Sequence, residues 1–259
     1  MHNLLINKLE QFTRLSAEDK QVLADVAQGR VRVRGAREDL IREGDKPTDV
    51  NLILEGWACR YKILPDGRRQ IISFFVPGDL CDLHVFVLRA MDHSIGALTP
   101  ITFAEISRET LRDIMSNHPR ITEALWWDTL VTAAIQREWT VNLGQRSAFE
   151  RLGHLLCELF IRLQAVGLTQ GNACELPVTQ TELADATGLT TVHVNRTLQE
   201  LRGKGLIKLH GKHLTVPDLE ALETASVFNL SYLHADHEGR ALDARNGEAG
   251  SAGQWSRGA

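Results

Sequence analysis

Thr191, Val192, Asn195, Arg196 and Gln199 recur at helical spacing within "GLTTVHVNRTLQELRGKGLI" and line one side of the helix that spacing makes. Together they can read the edges of base pairs. An arginine can donate two parallel hydrogen bonds to guanine, asparagine or glutamine can pair bidentately with adenine, and the valine and threonine methyls suit the thymine methyl group. No acidic side chain interrupts the stripe before Glu200. Against this stands the plainer possibility that these residues are the solvated face of a winged helix used for protein contacts, because a fold pattern does not by itself define a function.

The elements that must hold this stripe can be read locally. Thr179 followed three residues later by Glu182 predicts a capping box and a helix from just after Val178 to Ala186 or Thr187. Gly188 supplies a turn, and Thr190 caps a second helix ending near Arg202. Val194, Leu198 and Leu201 then fall on the face opposite the stripe and are expected to pack on Leu183 and Leu189. The pair is a helix-turn-helix, whose second helix enters the major groove. "GLIKLHGKHLTV" follows as two short strands around His210-Gly211-Lys212, a wing from which Lys212 can reach phosphate.

A second set of reactive residue types, Cys81, Asp82, His84 and His93, lies within an earlier strand-rich region. Such a set can ligate haem or another metal. A metal-dependent enzyme on a β-roll would need a close His-x-His pair and a downstream glutamate, and that spacing is missing. From residue 30 to about 107, "VRVRGAREDLIREGD", "VNLILEGWACRYKIL" and "PDGRRQIISFFVPGDL" read as short strands broken by turns, the pattern of a sandwich or barrel. Ser16 and Asp19 predict a helix in front of them, and "SRETLRDIMSNHP" predicts a short helix behind them, closed by Pro119.

From Arg120 to about Val141 there is neither proline nor glycine, so a long helix is expected, with a hinge at Gly144 and a further helix from Ser147 to about Val166. Its two apolar stripes, Ile121, Leu125, Ile135, Trp139 and Ala124, Trp127, Val131, Ala134, are wider than one small sheet needs. Part of that surface, including Ile135, is expected to face a second chain, although a wholly intramolecular helix has the same periodicity. Phe228, Tyr232 and Leu233 are expected to fold back on the C-terminal domain, and the polar, glycine-rich residues 236–259 to be disordered.

The chain has 259 residues, enough for two modest domains, and a net charge of -4. That charge does not describe a general polyanion binder, yet residues 178–216 carry five basic side chains against three acidic ones, so the basic patch is local. Cys59, Cys81, Cys157 and Cys174 show no CxxC spacing, which argues against a disulfide framework or a structural zinc site and for buried thiols. No apolar run is long enough for a membrane span, and the start "MHNLLINKLEQF" lacks the features of a secretory signal, so the cytoplasm is expected.

In "LILEGWACRYKILPDGRRQIISFFVPGDL" and "VTQTELADATGLTTVHVNRTLQELRGKGLI" the sequence resembles the Crp/Fnr superfamily of bacterial transcription regulators, over nearly its whole length. The resemblance implies an α+β fold with an N-terminal double-stranded, jelly-roll-like β-roll, a long dimerisation helix and a C-terminal winged helix-turn-helix. The corresponding domains are 1–118 (sensor), 119–146 (dimerisation helix and hinge), 147–235 (DNA-binding) and the tail. It also implies a homodimer on double-stranded DNA, in contact with RNA polymerase. Thr191, Val192 and Arg196 match its base-reading positions, with Thr179, Gln180, His193 and Asn195 near phosphates or neighbouring bases. Val192 stands where the best-known members carry glutamate, so a different half-site is expected.

Members that bind cyclic AMP carry a Gly-Glu pair for the ribose and an Arg-Ser pair for the cyclic phosphate. Here Asp82-Leu83 lies near the first pair and His93-Ser94 replaces the second, removing the strongest phosphate donor. Cyclic AMP is therefore disfavoured, and a pocket for some other small-molecule effector is expected among Leu80, Asp82, His84, Arg89, His93 and Ser94. The oxygen-sensing members need a cysteine cluster near the N-terminus, whereas the first cysteine is Cys59, so an iron-sulfur cluster is disfavoured too. An architectural DNA-binding protein without sensing remains the alternative, and would show little sequence preference.

Overall fold

The computed structural model of the chain describes residues 3–83 and 85–234; His84 and the tail 236–259, named above, lie outside the described residues. The Asn3 side chain accepts from the Leu5 and Ile6 amides and starts α1 (Leu4–Leu9). The predicted Ser16/Asp19 capping box is present and starts α2 (Ala17–Gln28). Only the second of these helices was expected.

The strands β1 (Arg30–Arg34), β2 (Asp39–Ile41), β3 (Asp49–Glu55), β4 (Ala58–Ile63), β5 (Arg69–Phe75), β6 (Leu80–Cys81), β7 (Ser94–Ala97) and β8 (Ile101–Ser107) build the roll. They form two antiparallel sheets, ordered β1-β8-β3-β6 and β2-β7-β4-β5. Leu52, Ile53 and Phe103 from one sheet and Ile71, Phe74 and Ile95 from the other supply its buried apolar core. Burying large side chains of this type stabilises by about 1.5–3 kcal/mol each before entropy is counted.

Behind the roll come α3 (Arg108–Asn117) and α4 (Pro119–Gln145), with Pro119 at the start of α4, where its missing N–H costs nothing. The expected hinge moves. Gly144 is helical and exposed, and α4 runs through it to Gln145. One exposed helical glycine costs about 1 kcal/mol, too little to end a helix of 27 residues. The break falls at Arg146-Ser147, where the Ser147/Glu150 capping box starts α5 (Ala148–Ala165).

The expectation that Ile135 faces a partner is also corrected. Ile135 is 7% exposed, and both apolar stripes of α4 are covered by the same chain. Trp139 meets Phe74 of the roll edge-on with ring centroids 5.9 Å apart, while Trp127 stacks on Phe12 at 6.3 Å. The apolar residues left outside on α4 are Trp126, Leu130, Val141 and Leu143.

After α5 the chain forms β9 (Thr169–Gln170), β10 (Ala173–Glu175), α6 (Gln180–Thr187), α7 (Thr191–Gly203), β11 (Lys208–His210), β12 (His213–Thr215) and α8 (Leu219–Ala225). The predicted wing strands join two unpredicted ones in a sheet ordered β11-β12-β10-β9. Beyond α8, Phe228 and Tyr232 pack on His154 of α5 as expected, but the chain also reaches α4: His234 meets Trp127 edge-on at 5.7 Å.

Candidate DNA interface and sensor pocket

Local chemistry fixes the recognition unit. In α6 the Thr179 amide donates to Glu182 Oε2 at 2.6 Å, and the Glu182 amide donates to Thr179 Oγ1 at 3.2 Å. Gly188 ends the helix at φ 66°, in the left-handed region that glycine enters at no steric cost. Thr190 Oγ1 accepts from the His193 amide at 3.2 Å and starts α7. Val194, Leu198 and Leu201 are fully buried, Leu183 is buried and Leu189 packs against the same core.

That anchoring leaves the opposite face open. Thr191, Val192, His193, Arg196 and Gln199 are exposed, Val192 to 70%, and Asn195 is half-buried. Asn195 Nδ2 donates to Gln180 Oε1 at 3.1 Å, and Gln199 Nε2 donates to Asn195 Oδ1 at 3.0 Å. Three carboxamides thus form one chain across the two helices, which fixes the middle one. Among the described residues no hydrogen bond holds the Arg196 guanidinium, which keeps its donors for an outside acceptor. Thr179 and Gln180 are exposed at the start of α6, so every predicted interface residue of the two helices sits on this unit. Lys212 has another setting: it lines a cleft of about 670 Å³ between the wing and the roll, with Trp57, Thr99 and Pro100 on the far wall.

The unit is docked on the rest of the chain. Arg69 of β5 pairs with Asp185 of α6, Gln70 Nε2 donates to the Ala186 carbonyl at 3.3 Å, and Arg151 Nη1 donates to the Thr187 carbonyl at 2.7 Å. Deeper in the junction a charged chain joins four regions. Lys8 of α1 bridges Asp79 at 2.8 Å and Asp128 of α4 at 2.7 Å, and Arg162 of α5 bridges Asp79 at 2.8 Å and Glu158 at 3.3 Å. Glu158, fully buried, also accepts from Trp139 Nε1 and from the Tyr232 hydroxyl, each at 3.0 Å. Burial pushes the Asp79 carboxyl up, but Lys8 and Arg162 outweigh it and hold it below its usual range; for Glu158 burial prevails and its pKa is raised.

In the roll, the structure brings two of the expected pocket residues into contact. Asp82 Oδ2 lies 2.8 Å from His93 Nε2, while Asp82 Oδ1 accepts from Arg60 Nη2. His93 Nδ1 lies 2.6 Å from Asp92. Burial works against a charge on His93, but the Asp82 and Asp92 carboxylates outweigh it and raise its pKa above the ordinary value. Ser94 is the next residue, with its hydroxyl accepting from the Glu43 amide at 2.9 Å.

Of the other expected pocket members, the described residues Leu80 and Arg89 are not gathered there. Leu80 lines a separate cavity of about 70 Å³ between α1, α4 and α5, and Arg89 is exposed. Sequence reasoning missed Arg60, whose signal was a cation in mid-strand, "ACRYKI", with its guanidinium lying over the Phe75 ring at 5.1 Å. Among the described residues no group of three or more His, Cys, Asp and Glu side chains is placed to hold a metal ion. All four cysteines are free and buried.

Comparison with known proteins places this geometry. A family model of the Crp-like helix-turn-helix domain matches residues 150–225, and one of the cyclic nucleotide-binding domain matches residues 26–118. The transcriptional activator protein FnrL of Cereibacter sphaeroides is 31% identical over 195 residues, 72% of this chain and 76% of that protein. The nitrogen fixation regulation protein FixK of Bradyrhizobium diazoefficiens is 30% identical over 175 residues, 67% of this chain and 73% of that protein. The solved structure of FixK2 from Bradyrhizobium japonicum superposes with a TM-score of 0.68 and 23% identity, over 75% of this chain and 96% of that one, a likeness of fold.

Proposed function

The chain belongs to the Crp/Fnr family of transcription regulators, and from that premise we propose that it works in the cytoplasm as a homodimeric switch on a two-fold symmetric operator. Residues 1–118 serve as the sensor, 119–146 as the dimerisation helix and hinge, and 147–235 as the DNA-binding domain. Two α7 helices enter successive major grooves, with half-sites roughly 34 Å apart on one face of the duplex. Arg196, Thr191 and Val192 read bases, while Thr179, Gln180, His193, Asn195, Gln199 and Lys212 contact phosphates or neighbouring bases. A small-molecule signal at the roll changes the spacing of the two recognition helices through α4 and the break at Arg146-Ser147. On DNA the dimer engages RNA polymerase.

The observation that carries this proposal is the exposed stripe on α7, whose one arginine makes no hydrogen bond among the described residues while the carboxamides beside it are fixed to each other. Operator selection from random DNA, followed by titration of Arg196→Ala, tests it. The expected loss is about 1–3 kcal/mol of specific binding with relaxed preference at one base pair per half-site. An unchanged site preference would remove Arg196 from base reading.

A further inference from the structure

Asp82 occupies the sensor site in an unusual way. Its two oxygens go to two different donors, Arg60 Nη2 and His93 Nε2, as a planar carboxylate set between a guanidinium and an imidazole. To reach them it adopts φ 56°, in the left-handed region. Each donor also has one contact apart from Asp82. Phe75 lies under the Arg60 guanidinium, and Asp92 holds the other side of the His93 ring at 2.6 Å. Asp82 also leaves donor capacity unused, since Arg60 Nε is buried without a hydrogen-bond partner.

We infer that Arg60 and His93 form a cradle for the carboxylate of a small-molecule effector, and that Asp82 is a built-in stand-in which the effector displaces. The inference rests on the proposal that the roll senses a ligand. An entering monocarboxylate takes over both of Asp82's donors without needing a left-handed residue. The charges facing the site, Arg60, His93 and Asp92, with Lys62 beside them paired to Glu43, are the same before and after the exchange. Asp82 is near the surface, with 16% of its side chain exposed, so the outgoing carboxylate is rehydrated within a short movement.

In the wild-type chain Asp82 competes at a high effective concentration, so simple carboxylates bind it weakly. Asp82→Gly removes the stand-in and relieves the left-handed position. The probes are sodium acetate and sodium formate, with sodium chloride at equal ionic strength as control, on the full chain. The readouts are the NMR titration of the His93 imidazole and operator affinity. In Asp82→Gly the His93 pKa is expected to fall, acetate and formate to restore it saturably, and chloride not to. Operator affinity should move at least fivefold between the empty and the acetate-filled variant.

Adding Arg60→Met should abolish the restoration. Asp82→Asn, which keeps the side chain's shape, should lower the His93 pKa and not be rescued. Acetate acting no differently from chloride, or still acting without Arg60, would overturn the cradle. Filling without any change in operator affinity would overturn its role as an effector site. Wild-type protein with no operator preference in any arm would sink the DNA switch itself, separately from the cradle.

Discussion

Arg69 Nε on β5 donates to Asp185 Oδ2 on α6 at 2.8 Å, joining residues 116 positions apart across the roll and the helix-turn-helix. Both side chains are partly exposed, at 32% and 22%, so solvent screens the pair and its coupling should be modest. A double-mutant cycle with Arg69→Met and Asp185→Asn, read by urea unfolding, should give about 0.5–1 kcal/mol. Strict additivity would show that the pair does not hold α6 on the roll.

The outer face of α4 carries Trp126, Leu130 and Val141, whereas Ile135 is buried in its own chain. Leu130→Glu should therefore leave a folded protein whose dimer dissociates in sedimentation, and a persistent dimer would move the seam elsewhere. Ile135→Glu should act differently, costing upward of about 3 kcal/mol of stability by burying a charge.

His154 is fully buried, stacked on Tyr232 at 5.7 Å, with Nδ1 accepting from Asn142 at 3.0 Å. Burial, and then the Arg146 charge, push its pKa from the ordinary 6.5 down to about 3. The unfolded chain therefore takes up this proton first, so the stability due to His154 is intact above pH 6.5 and is lost as pH falls toward 3. Between pH 6.5 and 5 the wild type should lose up to about 1.4 kcal/mol per pH unit relative to His154→Phe. Parallel stability curves would mean that the imidazole is not held neutral.

Gly153 on α5 faces Ser226 so closely that a Cβ there would lie 2.1 Å from Ser226 Oγ and 3.0 Å from its Cβ. Gly153→Ala should cost about 1–3 kcal/mol by overpacking. Ser226→Gly in the same chain removes both obstructing atoms and should recover most of that loss in thermal unfolding. No recovery would place the strain elsewhere.

What could be read from sequence was what is decided within a few residues. The capping boxes at Ser16/Asp19 and Thr179/Glu182, the turn at Gly188 and the packed face of α7 all depend on neighbours within two turns of helix. The stripe on α7 followed from the same periodicity. Partner assignment did not: periodicity revealed two apolar stripes on α4 but not that the roll, the segment just after α1 and the C-terminal turn cover both. Gly144 misled because one glycine weakens a helix without ending it, while Ser147, three residues on, carries the stronger start signal. In the roll, resemblance pointed to Asp82 and His93, but Arg60, 22 positions before Asp82, has no local pattern tying it to them.

The charged chain through Lys8, Asp79, Asp128, Arg162 and Glu158 bears on how this architecture can be recombined. A chimera that grafts residues from α5 onward onto a roll without Asp79 and Lys8 leaves Arg162 with Glu158 and takes away its partner Asp79. Removing a partner from a buried ion network costs about 3–5 kcal/mol, a large share of a domain's stability. These five positions therefore travel as a set, and the halves are exchangeable only between chains that carry the whole set.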